Sequence, residues 1–200
     1  GDCWVYENAK VYGNAEVYDD AKVYGNAEVY DDAKVYGNAW VFDNAKVFED
    51  AEVFGIAEVC GDAVVYCDAK VFGNAQVYDN AKVSGNTQVY ENAKVYENAK
   101  VFEDAEVFGI AEVCGNTEIR GDAEIRGDAE IASNSDYILF KNWWSSGRHF
   151  TWTKSNNMWK VGCFYGTGEE LIKKAYKDSE KSGREYERVV KYVESILKEQ

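Results

Sequence analysis

The stretch NAKVFEDAEVFGIAEVCG fills residues 44–61 and returns, letter for letter, as residues 98–115, 54 positions later. Inside it Val47, Val53 and Val59 stand six apart. Outward from it the same spacing runs without a slip from Val5 to Val113 and on through Ile119, Ile125 and Ile131, which makes 22 repeats. Two residues before each aliphatic stands Ala, with Thr87 and Thr117 as substitutes and Cys3 in the first repeat. The unit is A-[KE]-V-[YF]-[GDE]-[ND]. A helix cannot satisfy it, because a period of six drifts around a helix of about 3.6 residues per turn and Gly or Asn in every turn would break it. Short strands can. In AKVY the Ala and Val share one face and the Lys and Tyr the other. The Gly-Asn or Asp-Asp pair that follows turns a corner, since these residues tolerate left-handed backbone.

Over about two thirds of the chain, residues 3–133, this pattern resembles the hexapeptide-repeat family, whose fold is a left-handed parallel β-helix. The period of six alone fixes neither handedness nor number of sides; the resemblance implies three hexapeptides per triangular coil. Eighteen residues are then one coil, 54 are three, and the identical segments lie on matching faces. About seven coils at a strand spacing of ~4.8 Å give a prism roughly 35 Å long. The resemblance also names activities to test. Hexapeptide acyltransferases need a histidine base, and γ-class carbonic anhydrases need three histidines on zinc, yet residues 1–133 contain no histidine. An ice-binding prism would want ranks of Thr-x-Thr, which are absent. No enzyme activity, cofactor or metal is expected, and an acyltransferase relative without its histidine is the last-ranked alternative.

In the coiled arrangement the residue after each Val stacks on its counterpart 18 positions on. One row reads Tyr18, Tyr36, Phe54, Phe72, Tyr90, Phe108 and ends at Arg126. It is the candidate partner-binding or self-association face, with a side-by-side trimer as the expected assembly, if the rings do not simply stabilise one another. Ile56 and Ile110 break the Asn/Asp rule at equivalent corners.

The net charge of −14 is uneven: residues 1–133 hold 10 Lys+Arg against 27 Asp+Glu, a charge of −17, and residues 134–200 hold 12 against 9, a charge of +3. Direct nucleic-acid binding by so acidic a prism is not expected. Cys3, Cys60, Cys67, Cys114 and Cys163 form no CxxC and read as free thiols in a reducing compartment. No apolar run is long enough to span a membrane, so a soluble, cytoplasmic chain is expected.

After Ile131 the period stops. Residues 134–200 read as a small α+β domain, three strands (YILFKNWW, HFTWTK, MWKVGCFYG) and then two helices. The first helix opens at TGEE, a capping box of Thr167 and Glu170, and is expected to end at Ser182-Gly183. A solenoid needs a terminal cap, and this domain supplies one. Trp143, Trp144, Trp152 and Trp159, interspersed with Arg148, His149, Lys154 and Lys160, form a candidate cluster for a partner or a nucleotide-like ligand, unless the tryptophans are the domain's core. His149, the single histidine, reads as a strand-end residue. Tracts of the NAKVYG type resemble those of bacterial and phage proteins. The chain therefore reads as a non-enzymatic binding or scaffold protein with a protein partner. The alternative is a phage anti-defence inhibitor that mimics DNA or sequesters a nucleotide-like ligand.

Overall fold

The computed structural model of the protein describes residues 1–198, so the tail's boundary at 200 lies outside the described residues. Strands of two residues recur every six positions from β1 (Trp4–Val5) to β22 (Glu130–Ile131). From β1 to β19 each pairs in parallel with the strand three further on, and three sheets of eight, seven and seven strands result. One coil is therefore 18 residues with three sides, as the resemblance implied. The duplicated stretch is one whole coil. Its copies contribute β8 (Lys46–Val47) and β17 (Lys100–Val101) to the same sheet, three rungs apart.

The alternation within each strand builds the core. Val47, Val65, Val83 and Val101 stack in register, and from Val23 to Ile131 every such aliphatic is fully buried, as are the alanines beside them. Each contributes about 1.5–3 kcal/mol. Thr87 and Thr117 are also buried, and their hydroxyls donate to the carbonyls of Ser84 and Cys114, so neither hydroxyl is stranded.

Every corner, from Glu7 to Gly127, opens with a residue of positive φ, and ten of these residues are Asp, Glu or Cys. A side chain in that region costs about 1–2 kcal/mol. The acids offset part of it, because several accept a backbone N–H from the next coil: Gly25 donates to Glu7 at 2.8 Å, Gly115 to Glu97 at 2.7 Å and Gly121 to Glu103 at 2.6 Å. Asparagines at the second corner position form amide ladders, such as Asn8 to Asn26 to Asn44 to Asp62. Among the described residues no such N–H is found on Glu91 (φ 62). Glu91→Gly is accordingly expected to raise stability by about 0.5–1 kcal/mol, read from the urea midpoint.

The tail differs from the sequence reading in two places. It has four antiparallel strands, β23 (Tyr137–Lys141), β24 (His149–Thr153), β25 (Met158–Val161) and β26 (Phe164–Gly166), rather than three. The segment MWKVGCFYG is a hairpin in which Val161 pairs with Phe164 across Gly162-Cys163, and Gly162 at φ 55 makes so tight a turn possible. Helix α1 (Gly168–Asp178) opens on the expected Thr167–Glu170 capping box but ends at Ser179, not at Ser182-Gly183. Gly183 lies inside α2 (Glu180–Lys198), where a Cβ would come within 2.3 Å of the Tyr176 ring. It is a glycine of close helix packing, a role that looks like a helix stop in sequence.

The tail closes the solenoid one sheet at a time. On the last rungs the N–H of Glu118 donates to Asn134 Oδ1 (2.7 Å), that of Glu124 to Thr151 Oγ1 (3.0 Å) and that of Glu130 to Ser155 Oγ (2.8 Å). Tyr137 and Tyr165 hydroxyls donate to the carbonyls of Glu118 and Arg126. These groups would otherwise form an open sheet edge. Thr151→Val, which removes one acceptor from a buried site, is expected to cost about 1–3 kcal/mol in a thermal-melt comparison.

Candidate functional site

The aromatic row forms as a continuous stack. From Tyr18 through Tyr36, Phe54, Phe72 and Tyr90 to Phe108, neighbouring ring centroids lie 4.8–5.0 Å apart and the planes are within 6° of parallel. The Arg126 guanidinium closes the stack over Phe108 and also faces Tyr165 of the tail. The row is not a bare apolar stripe. Tyr18 at its open end is 38% exposed, the middle rings are half-buried and Phe108 is 6% exposed. Ring edges are engaged too: Tyr36 donates to Glu52 (2.9 Å) and Tyr90 to Glu106 (3.2 Å). The other two rows are interrupted, at Ser84 and at Cys60 and Cys114. Burial pushes the Cys60 thiol up to about 11, which makes it a poor nucleophile.

Charges on the outer faces pair across coils. Glu28 lies between Lys10 (3.0 Å) and Lys46 (3.5 Å), Glu52 pairs with Lys70 (2.9 Å) and Glu112 with Lys94 (3.0 Å). The lysine hydrogen bonds hold all three carboxyls below the usual range. A depressed carboxyl contributes stability above its unfolded value of about 4.3 and loses it as pH falls through the folded value. Burial, then the hydrogen bond to Glu52, pushes Tyr36 up to about 12. A raised phenol contributes stability below its unfolded value of about 10 and loses it as pH rises through the folded one. The urea midpoint is therefore expected to fall on both sides, below about pH 4 and above about pH 10, and an alkaline absorbance titration should show tyrosines ionising later in the folded chain than in urea.

One feature of the solenoid surface escaped the sequence reading. Trp4 and Trp40 replace the usual Lys or Glu on the outer face of one sheet, two rungs apart, and both are exposed. Lys22 lies between them in register, its ammonium 4.6 Å from the Trp40 ring centre. The signal was legible, since both tryptophans break the unit at its second position.

In the tail, Trp144, Trp152 and Trp159 are buried in a core with Phe150, Leu171, Tyr186 and Val190. Lys160 is buried as well; it pairs with Glu124 of the last coil and donates to the Gly162 carbonyl. His149 is the first residue of β24 and sets Nδ1 against Asp122, also on the last coil. These two contacts fasten the tail to the solenoid. Lys154 follows β24 at the surface, its backbone N–H donating to the Asp136 carbonyl. Of the cluster's tryptophans Trp143 alone projects, 73% exposed, from the loop between β23 and β24. That loop is held by buried Asn142, whose Oδ1 accepts from Ser145 N and Oγ and whose amide donates to Tyr186 Oη at 2.9 Å. Arg148, at the other end of the loop, lines a cleft between the sheet and α1 together with Gly162, Phe164, Leu171 and Lys174.

Over residues 75–91, just under one coil, the chain is similar to the YdcK beta solenoid repeat. No curated protein and no solved structure matches it. The matched segment and the seven-turn architecture around it agree: the chain is a β-solenoid repeat protein with a C-terminal antiparallel sheet and two helices.

Proposed function

We propose that this chain is a non-enzymatic binding scaffold whose solenoid is a rigid spacer and whose C-terminal unit meets a protein partner. The observation that carries the reading is Trp143. A 73% exposed tryptophan on a loop braced by the Asn142–Tyr186 hydrogen bond is the kind of rigid aromatic anchor that dominates interfaces. The solenoid's own groups support the division of labour: rings stack on rings, lysines pair with glutamates, and corner acids hold backbone N–H groups of the next coil. The test is recovery of a partner on immobilised full-length protein, wild type beside Trp143→Ala. A partner held by the wild type and lost from the variant supports the reading. A partner held equally by both counts against it.

A second reading, mimicry of a nucleic acid, is favoured by charge density. A charge of −17 over roughly 35 Å is about one per 2 Å, close to the one per about 1.7 Å of duplex DNA. Under this reading the partner is a DNA-binding protein, released by DNA or by about 0.5 M salt and indifferent to Trp143→Ala.

A further inference from the structure

We infer that the cleft between the C-terminal sheet and α1 is a binding site for a small, singly charged aromatic carboxylate. The cleft has a volume of about 250 Å³. Its walls come from the end of the β23–β24 loop (Arg148), the β25–β26 turn (Gly162, Cys163), α1 (Leu171, Lys174, Ala175) and Tyr186 of α2.

Three observations define the ligand. The first is charge. Arg148 and Lys174 stand at the cleft, and among the described residues neither has an ion-pair partner, although the chain as a whole carries −14. Lys174 is held over the Phe164 ring, 5.3 Å from its centre, and Arg148 lies beside the Gly162 turn, where a Cβ would come within 3.9 Å of its Nη1. The second is a buried donor. Tyr186 lines the cleft, is 7% exposed and has an oxygen that accepts from the Asn142 amide, which leaves its O–H as a donor for which no acceptor is found among the described residues. Burial keeps this phenol protonated, the form that donates. The third is an apolar lining of Val161, Phe164, Leu171 and Ala175, which suits the face of a ring.

Size and charge narrow the class. A volume of about 250 Å³ is below the ~300–1,000 Å³ of sites for drug-sized ligands, which points to a single ring. Asp178 also lines the cleft, so Arg148, Lys174 and Asp178 together leave one net positive charge, which a single carboxylate neutralises and a phosphate dianion exceeds; His149, also on the lining, is engaged with Asp122. The site goes beyond the partner-binding reading and does not depend on it, since Trp143 does not line the cleft.

The probe is benzoate, titrated into the full-length chain and followed by amide NMR, with adenosine monophosphate and inorganic phosphate as parallel arms. Saturable shifts centred on Arg148, Gly162 and Lys174 are expected. Affinity should fall by about tenfold or more in an Arg148→Ala, Lys174→Ala double variant, the loss of charge-assisted hydrogen bonds. Tyr186→Phe should also weaken binding, and Lys181→Ala, outside the cleft, should not. Since both charged positions are at the surface of the cleft, the double variant is expected to melt with the wild type. No saturable benzoate binding, equal affinity in the double variant, or binding of the monophosphate in place of benzoate would each overturn the proposal.

Discussion

Replacing Val65 by Asp is expected to abolish cooperative folding of the solenoid, whereas Val64→Asp, one residue earlier in the same strand, is expected to leave it intact. Val65 is fully buried between Val47 and Val83. The change removes about 1.5–3 kcal/mol of apolar burial and forces a carboxyl into a shaft of Ala and Val side chains with no donor to meet it. Losses of this kind exceed about 4–5 kcal/mol, a large share of the ~5–15 kcal/mol that holds a domain together. Val64 points the other way, onto an outer face where its register neighbours are Lys46 and Lys82. A carboxylate there sits between two ammonium groups, and its effect should be within about 1 kcal/mol in either direction. Circular-dichroism melts decide it: similar curves for the two variants would contradict the assignment of faces.

The second large effect concerns the aromatic stack. Phe54→Ala should cost about 2–4 kcal/mol, because Phe54 stacks on both Tyr36 and Phe72 at 4.9 Å, within 2° of parallel. Tyr18→Ala should cost about 1 kcal/mol, since Tyr18 meets one ring, Tyr36, and is 38% exposed. Urea midpoints test the difference. Equal losses at the two positions would mean that the rings contribute area alone and that stacking adds nothing.

The solenoid was legible in sequence because its contacts repeat. Val47 meets Val65 for the same reason that Val53 meets Val71, so a local rule read once applies at every rung. The tail has no such redundancy, and there local signals misled. Gly183 looked like a helix stop because its reason for being glycine, the Tyr176 ring, lies in the other helix. Gly162 looked like an interior strand residue because a two-residue turn carries little sequence around it. The basic aromatic cluster separates for a related reason. Lys160 and His149 turn toward Glu124 and Asp122 of the last coil, partners 36 and 27 positions away that composition could not select. That Lys174 and Tyr186 line one cleft with Arg148 could not be read from sequence, since the three come together only in the folded tail. Trp143 stays at the surface, its ring edge-on to buried Trp144 at 5.9 Å.

The most direct test of the binding-scaffold account is a photo-reactive amino acid placed at position 143 and, in a separate chain, at position 76 on the outer face of the solenoid. After irradiation with the partner recovered by the wild type, the account predicts a covalent adduct from position 143 and none from position 76. An adduct from position 76 with none from position 143 would contradict it and place recognition on the solenoid wall.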